Sequence, residues 1–366
     1  SGSDRRVFEH FVYSGKDGVF RREVEQAGAR VATLRRWIPK LDPIWALRLA
    51  RAMRRDGIDI VHTHLFGDSL HGYLAAKARD GLPVIMTLHN AKQNFSKLQL
   101  WAYRQLLPRS TRVVACSASA RDSFADIVED AAVSMCTITN GFDATTTAKP
   151  TPQALAALKN SLGIPADALV VGAIGRMVEQ KGFNYLISAF RALHQNSDRE
   201  LRLVLLGSGT DLHKLQRQAR SEGLGDTVLF PGFRSDAREI LAIFDIVAFP
   251  SLFEGLPVAL LEAMAAASCI VATNIDSLAE VLEHQRTALL VPPRDPPALA
   301  RMLALALADP ELRRRLGSST REIYLEQFTA SRMVRSYESL YRSIIDGSDR
   351  DIARLSGSQQ VAQGSA

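Results

Sequence analysis

The chain has little of what would set it apart from ordinary globular enzymes. Its 366 residues include three cysteines, Cys116, Cys136 and Cys269, with no C-x-x-C pair and no metal-ligand spacing. That excludes a disulfide scaffold and fits a reducing compartment. No apolar run is long enough to span a bilayer, because Pro257 and Glu262 interrupt the most hydrophobic stretch. The opening residues SGSDRRVF lack the apolar core of a signal peptide, so a cytoplasmic chain is expected. The aromatic and basic signature of RNA-binding modules is missing, as is any helix-turn-helix signal, which argues against nucleic acid as a partner.

Apolar residues make up 46% of the chain and charged residues 23%. These are globular values, and the length calls for two domains with sizeable cores. The net charge of +6 is unevenly spread. Residues 1–150 hold 22 Lys and Arg against 15 Asp and Glu, and the remainder holds 23 against 24. The basic half is therefore expected to meet an anionic surface or substrate.

Short β-branched runs alternate with amphipathic segments. Strand candidates are VFEHFVY (7–13), IDIVHTH (58–64), PVIMTLH (83–89), RVVACS (112–117), LVVGAIG (169–175), LRLVLLG (201–207), TVLFPG (227–232), IVAFPS (246–251) and CIVAT (269–273). Helical periodicity fills 43–55, 183–195, 211–222, 236–244 and 257–267. This alternation predicts an α/β protein of βαβ units, with parallel sheets covered on both faces and function in the loops after the strands. The polar stretch ATTTAKPTPQ reads as a linker, which puts a domain boundary within 143–165. Beyond 296 the pattern is helical, and the polar last residues are expected to be disordered.

Two carboxylates stand out. In FPSLFEGLPVALLEAMAAAS (249–268), Glu254 precedes a helix start and Glu262 lies inside the helix, both amid apolar neighbours. Pro257 is taken as the first helical residue, leaving the N–H groups of Gly255 and Leu256 at an anion-attracting helix start. A second loop, in AIGRMVEQKGFNYLISAF (173–190), places Arg176 and Lys181 after a strand. Two cations and a helix N-terminus suit a diphosphate. The acids then serve as acceptors for hydroxyls on either side of it.

Other features are weaker. His62 and His64 in HTH share one strand face, but no third metal ligand is evident. The segment RRWIPKLDPIWALRLARAMRR (35–55) carries Trp37, Trp45 and many arginines. Its first reading is an ordinary helix packed on a sheet. Its second is peripheral contact with an anionic membrane at the inner face.

Taken together, FEGLPVALLEAMA, GRMVEQKGF, LLGSGTDLHKLQRQA and FPGFRSD strongly resemble family 4 of the retaining glycosyltransferases, over roughly residues 5–345. The resemblance implies the GT-B fold, two Rossmann-like domains with parallel sheets facing across a cleft. It implies an acceptor-side domain (1–147), a donor-binding domain (148–330), a helix crossing back (331–348) and a disordered tail (349–366). It implies transfer of a sugar from a nucleotide-sugar donor to a glycan, lipid-linked or small-molecule acceptor with retention of configuration, in polysaccharide or glycoconjugate synthesis. No metal or cofactor is expected.

By the same resemblance, Glu254 contacts donor-sugar hydroxyls and Glu262 the ribose. Arg176 and Lys181 hold the diphosphate with the help of Gly255 and Leu256, and Phe233 and Arg234 present main chain to the base. Gly207 and Gly209 admit the backbone closely, and His89 in TLHN lies near the sugar and acceptor. Relatives begin with a strand, a Gly-rich loop and a helix ahead of the first strand recognisable here. The first domain is therefore expected to lack its N-terminal strand and helix, and to be unstable or rearranged. A sugar-nucleotide 2-epimerase and an inactive donor-binding fragment are the alternatives.

Overall fold

A computed structural model describes residues 2–18, 21–36, 38, 42–79, 81–128, 133–144 and 151–347. The proposed linker core 145–150 and the tail from 348 lie outside these. The chain forms two compact units, one of residues 1–139 with 331–366 and the other of 140–330.

The first unit contains β1 (Phe11–Ser14), β2 (Arg30–Thr33), β3 (Val61–His64), β4 (Val84–Leu88), β5 (Arg112–Ala115) and β6 (Ser134–Thr137). All pairings are parallel, but they make two sheets: β1 pairs with β2, and β3-β4-β5-β6 run in order. Alternation along the strands sorts the core into two faces. Met86 and Val113 face a cluster with Trp45, Leu49, Tyr103 and Phe124, from the helices Pro43–Arg55 and Lys97–Leu106 and the segment after them. Ile85 and Val114 face the helix Ala330–Ile345 through Leu340, Tyr337 and Tyr341.

The Pro43–Arg55 helix is well specified by its sequence. The Asp42 carboxylate accepts from the Trp45 N–H at 2.9 Å, proline occupies the first turn, and Trp45, Leu49 and Met53 are buried at a four-residue repeat. Arg54 and Arg55 complement the dipole at its end. Between β1 and β3 lies a cavity of about 1120 Å3, lined by Phe8, Phe11, Trp45, Ile60 and Tyr341 among others. The cavity-side edges of both strands lack a pairing partner among the described residues. The first strand is also shorter than its apolar pattern, because residues 5–7 form a turn.

The second unit is one continuous parallel sheet. Its strands are β7 (Leu169–Ile174), β8 (Leu201–Leu206), β9 (Val228–Gly232), β10 (Ile246–Phe249), β11 (Ile270–Thr273) and β12 (Leu289–Val291), in the order β12-β11-β10-β7-β8-β9. Val171, Leu203, Leu205, Ile246 and Val271 are buried to 1% exposure or less and join Phe183, Leu186, Ile187 and Phe190 of the helix Phe183–Gln195. Burying each such side chain is worth about 1.5–3 kcal/mol. The order β7-β8-β9 runs one way from the centre and β10-β11-β12 the other. The β7/β10 pair is thus the topological switch point, the place in such sheets where ligands bind at the strands' carboxyl ends.

Candidate functional site

The loops that follow β7 and β10 meet at that switch point. After β7 comes a short turn, Glu179–Lys181, closed by Gly182 at φ +64°. A Cβ on Gly182 would stand 2.0 Å from the Pro250 carbonyl oxygen, so only glycine lets this turn lie against the end of β10. The Leu252 N–H donates to the Gln180 carbonyl at 2.8 Å, and the Gln180 amide donates to the Phe253 carbonyl at 3.0 Å. The two loops are locked together, and this fixes the side chains they carry.

Lys181 and Glu254 are brought into contact. The ammonium donates to Glu254 Oε1 at 2.5 Å, with both side chains largely buried. The Ser251 hydroxyl donates to the same oxygen at 2.7 Å, and Gln180 Nε2 reaches Oε2 at 3.3 Å. The carboxylate therefore stays buried because three donors satisfy it. Ser251 and Gln180 were missed by sequence reasoning. Nothing local marks them, since their role arises from contact across 74 residues in one case and a tight turn in the other.

Arg176 is exposed and has no side-chain partner among the described residues. Pro257 is the N-cap of the helix Val258–Ala265, not its first residue. Its extended backbone turns the chain into the helix, and Gly255 and Leu256 precede it, both buried. Their N–H groups have no protein acceptor among the described residues. Two buried, unspent donors ahead of a helix start thus lie in the loop that carries Glu254, the partner of Lys181, and form one corner of the site.

The glycines of the β8 loop serve the same corner. Gly207 has φ +138°, and a Cβ there would lie 2.0 Å from the Gly175 carbonyl; one on Gly209 would lie 2.3 Å from that of Met177. In this structure the close approach they permit is that of the β7 loop. Met177 N–H donates to Ser208 at 2.8 Å, and Gly207 N–H to Gly232 at 2.9 Å. After β9, Phe233 is 65% exposed, and Arg234 makes a two-point contact with Asp236 at 2.7 and 2.6 Å. That contact lowers the Asp236 pKa.

Glu262 has its own set of neighbours. It lines a cavity of about 520 Å3 with Arg238 and Phe142, and Arg238 Nε donates to it at 3.4 Å. Burial raises the Glu262 pKa and Arg238 opposes the rise. Arg238 also stacks 4.7 Å from the Phe142 ring centroid. The two acids of the motif thus have separate partners.

His89, one residue past β4, belongs to the first unit. Its Nε2 lies 3.0 Å from His64 Nδ1. Desolvation lowers the His89 pKa, and desolvation followed by the nearness of His89 brings that of His64 to about 4. Both rings are therefore neutral at pH 7, and the shared hydrogen bond links their tautomers. His62, considered with His64 as a metal pair, uses its nitrogens otherwise: Nδ1 meets Tyr341 Oη and Nε2 meets Thr87 Oγ1, both at 2.7 Å. No group of three metal-ligating side chains is found among the described residues. Nor is any helix among them long and apolar enough to cross a membrane.

Known proteins bear on this geometry in three ways. Residues 156–323 match the family described as glycosyl transferases group 1, and residues 4–146 match glycosyltransferase family 4. The chain is 32% identical over 284 residues to the putative glycosyltransferase EpsF of Bacillus subtilis, covering 73% of this chain and 71% of that protein. It is 25% identical to the N-acetyl-alpha-D-glucosaminyl L-malate synthase of Bacillus anthracis, covering 84% and 80%. Among solved structures, HepE of Anabaena in complex with UDP and glucose superposes with a TM-score of 0.82 over 91% of each chain, at 23% identity.

Proposed function

The chain belongs to the group 1 glycosyl transferases of family 4, which transfer sugars from nucleotide-sugar donors, and on that premise we propose that it does so with retention of configuration and that the β7/β10 corner binds the donor. The observation that carries the assignment is the Lys181–Glu254 pair, buried beside the unspent N–H groups of Gly255 and Leu256 at the switch point. HepE, an α/β protein of the same fold, binds UDP and glucose.

The donor diphosphate would exchange partners with the resting site. A phosphate oxygen takes the Lys181 ammonium, Arg176 closes on the other phosphate, and the Gly255 and Leu256 N–H groups complete the cradle. Glu254, released by Lys181, accepts from donor-sugar hydroxyls. Glu262 is assigned to the ribose and Phe233 with Arg234 to the base. Gly207 and Gly209 keep the loops close enough for main chain to serve the ligand. In the transfer itself, the bond from the anomeric carbon to the phosphate oxygen breaks and the bond to the acceptor oxygen forms on the same face. The departing phosphate oxygen takes the acceptor's proton. Negative charge then builds on the diphosphate, where fixed cations and dipoles stabilise it without rearranging. This reading assigns no metal or cofactor a role.

His89 is assigned to the donor sugar and acceptor, with His64 holding its tautomer. The acceptor is proposed to be a glycan, a lipid-linked sugar or a small molecule in glycoconjugate synthesis at the cytoplasmic side. The test is product analysis by NMR with UDP-, GDP- and ADP-sugars, with and without acceptor. An α-linked product from an α-linked donor supports retention, and an inverted product refutes it. Conversion of the donor alone to its C2 epimer would refute transfer.

A further inference from the structure

We infer that the outer face of the helix layer Pro43–Arg55, Phe66–Lys77 and Lys97–Leu106 is a docking surface for an anionic lipid bilayer, with Leu98 and Trp101 as its apolar anchors. This does not rest on the sugar-transfer reading. The three helices lie on the same side of the first unit's main sheet, because Trp45 and Leu49, Ala75 and Ala76, and Tyr103 and Leu106 all enter one core cluster. The helix Ala330–Ile345 covers the opposite side. The outward faces of the three helices therefore share a direction.

The Lys97–Leu106 helix shows the pattern most clearly. Tyr103 and Leu106 point inward, whereas Lys97, Leu98, Trp101 and Arg104 are exposed on one stripe. Leu98 is 72% exposed and Trp101 62%. The orientation is fixed rather than frayed: Ser96 and Gln99 form a reciprocal capping box at the helix start. On the Pro43–Arg55 helix, at the other side of Phe66–Lys77, Ile44 and Leu47 are more than half exposed at one end and arginines fill the other. Trp45, unlike these, is buried and donates its indole N–H to the Leu34 carbonyl. Trp37 lies outside the described residues.

Charge identifies the partner. The three helices carry seven lysines and arginines and a single acid, Asp68. Residues 81–121 contain no Asp or Glu at all. Asp126 neutralises Lys92 and Arg104, at 2.6 and 3.5 Å, but Arg51 and Lys97 have no acidic partner among the described residues. Protein interfaces concentrate apolar residues in a core from which lysine is depleted. Here exposed aliphatic side chains and one tryptophan lie beside cations on the same helices, which suits the headgroup boundary of an anionic membrane.

The test is flotation of the full chain with phosphatidylcholine vesicles and with vesicles containing phosphatidylglycerol. Binding only to the second, weakening as salt rises, is expected. Leu98→Glu with Trp101→Glu should lower partitioning by roughly tenfold or more, and Lys97→Gln by roughly fivefold. These surface changes should leave the thermal transitions in place. The Trp101 emission should shift to the blue on anionic vesicles, and Trp101→Phe should abolish that shift while retaining binding. Equal partitioning to both vesicle types, or wild-type partitioning by the double variant, overturns the inference. So does a self-associating species that ignores vesicles and that Trp101→Glu dissociates.

Discussion

The two units solve the same architectural problem to different degrees. In the second, six parallel strands form one sheet, and at its centre the loops after β7 and β10 lock onto each other. In the first, the strands divide into a pair and a set of four, with a cavity of about 1120 Å3 between β1 and β3. A strand edge without a partner leaves backbone groups to solvent and neighbours without packing. The comparison teaches that one sheet of this chain is continuous, with its central loops tied together, while the other is divided at the cavity between β1 and β3. Four experiments would break or sharpen it, and the first should show the largest effect.

Lys181→Ala should lower kcat by roughly 10²–10³-fold, as expected for removal of one preorganised charge-stabilising group. The check is steady-state kinetics with saturating donor. Loss confined to KM would instead make Lys181 a simple binding residue. Circular dichroism must accompany it, since Glu254 is left with only the Ser251 and Gln180 donors.

Hydrogen exchange compares the units directly. Amides of β7 and β10, central in the six-stranded sheet, should exchange roughly 10²-fold or more slowly than those of β1 and β3, which border the cavity. Equal protection would remove the distinction between a complete and a split sheet.

Acid should separate them next. The folded-state pKa of His64 is depressed from 6.5 to about 4, and those of His62 and His89 are also lowered. Below 6.5 the unfolded chain takes up protons that the folded first unit refuses. The stability these neutral rings contribute is therefore whole above pH 6.5 and lost as pH falls toward 4. Calorimetry from pH 7 to pH 5 should show the first unit's transition moving down before the second's. His64→Asn should flatten that dependence. The smallest effect is at Phe233, which is 65% exposed: Phe233→Ala should change stability by less than about 0.5 kcal/mol and show only in nucleotide affinity.

Much of the second unit was legible from sequence because its strands are buried on both faces. LVVGAIG, LRLVLLG and CIVAT are near-continuous apolar runs, and they appear as β7, β8 and β11. The strands without a sequence signal are β2, β6 and β12: polar side chains dilute the pattern in RVAT and SMCT, and LLV is only three residues long. The charged site residues could be named from their loops, but their pairing could not. Lys181 and Glu254 are 73 residues apart, and only the switch-point topology joins them. The His62–Tyr341 contact spans 279 residues and is equally invisible to any local window. The different partners of Glu254 and Glu262 likewise depend on where the Val258–Ala265 helix turns its faces.

The most direct test of the account is calorimetric titration of UDP, GDP and ADP into the wild-type chain and into Arg176→Ala/Lys181→Ala. One nucleotide should bind the wild type, and the double variant should lose at least roughly 10²-fold in Kd, about 2.7 kcal/mol or more. Unchanged affinity in the variant, or a folded wild type that binds none of the three, would contradict the claim that the β7/β10 corner grips a nucleoside diphosphate.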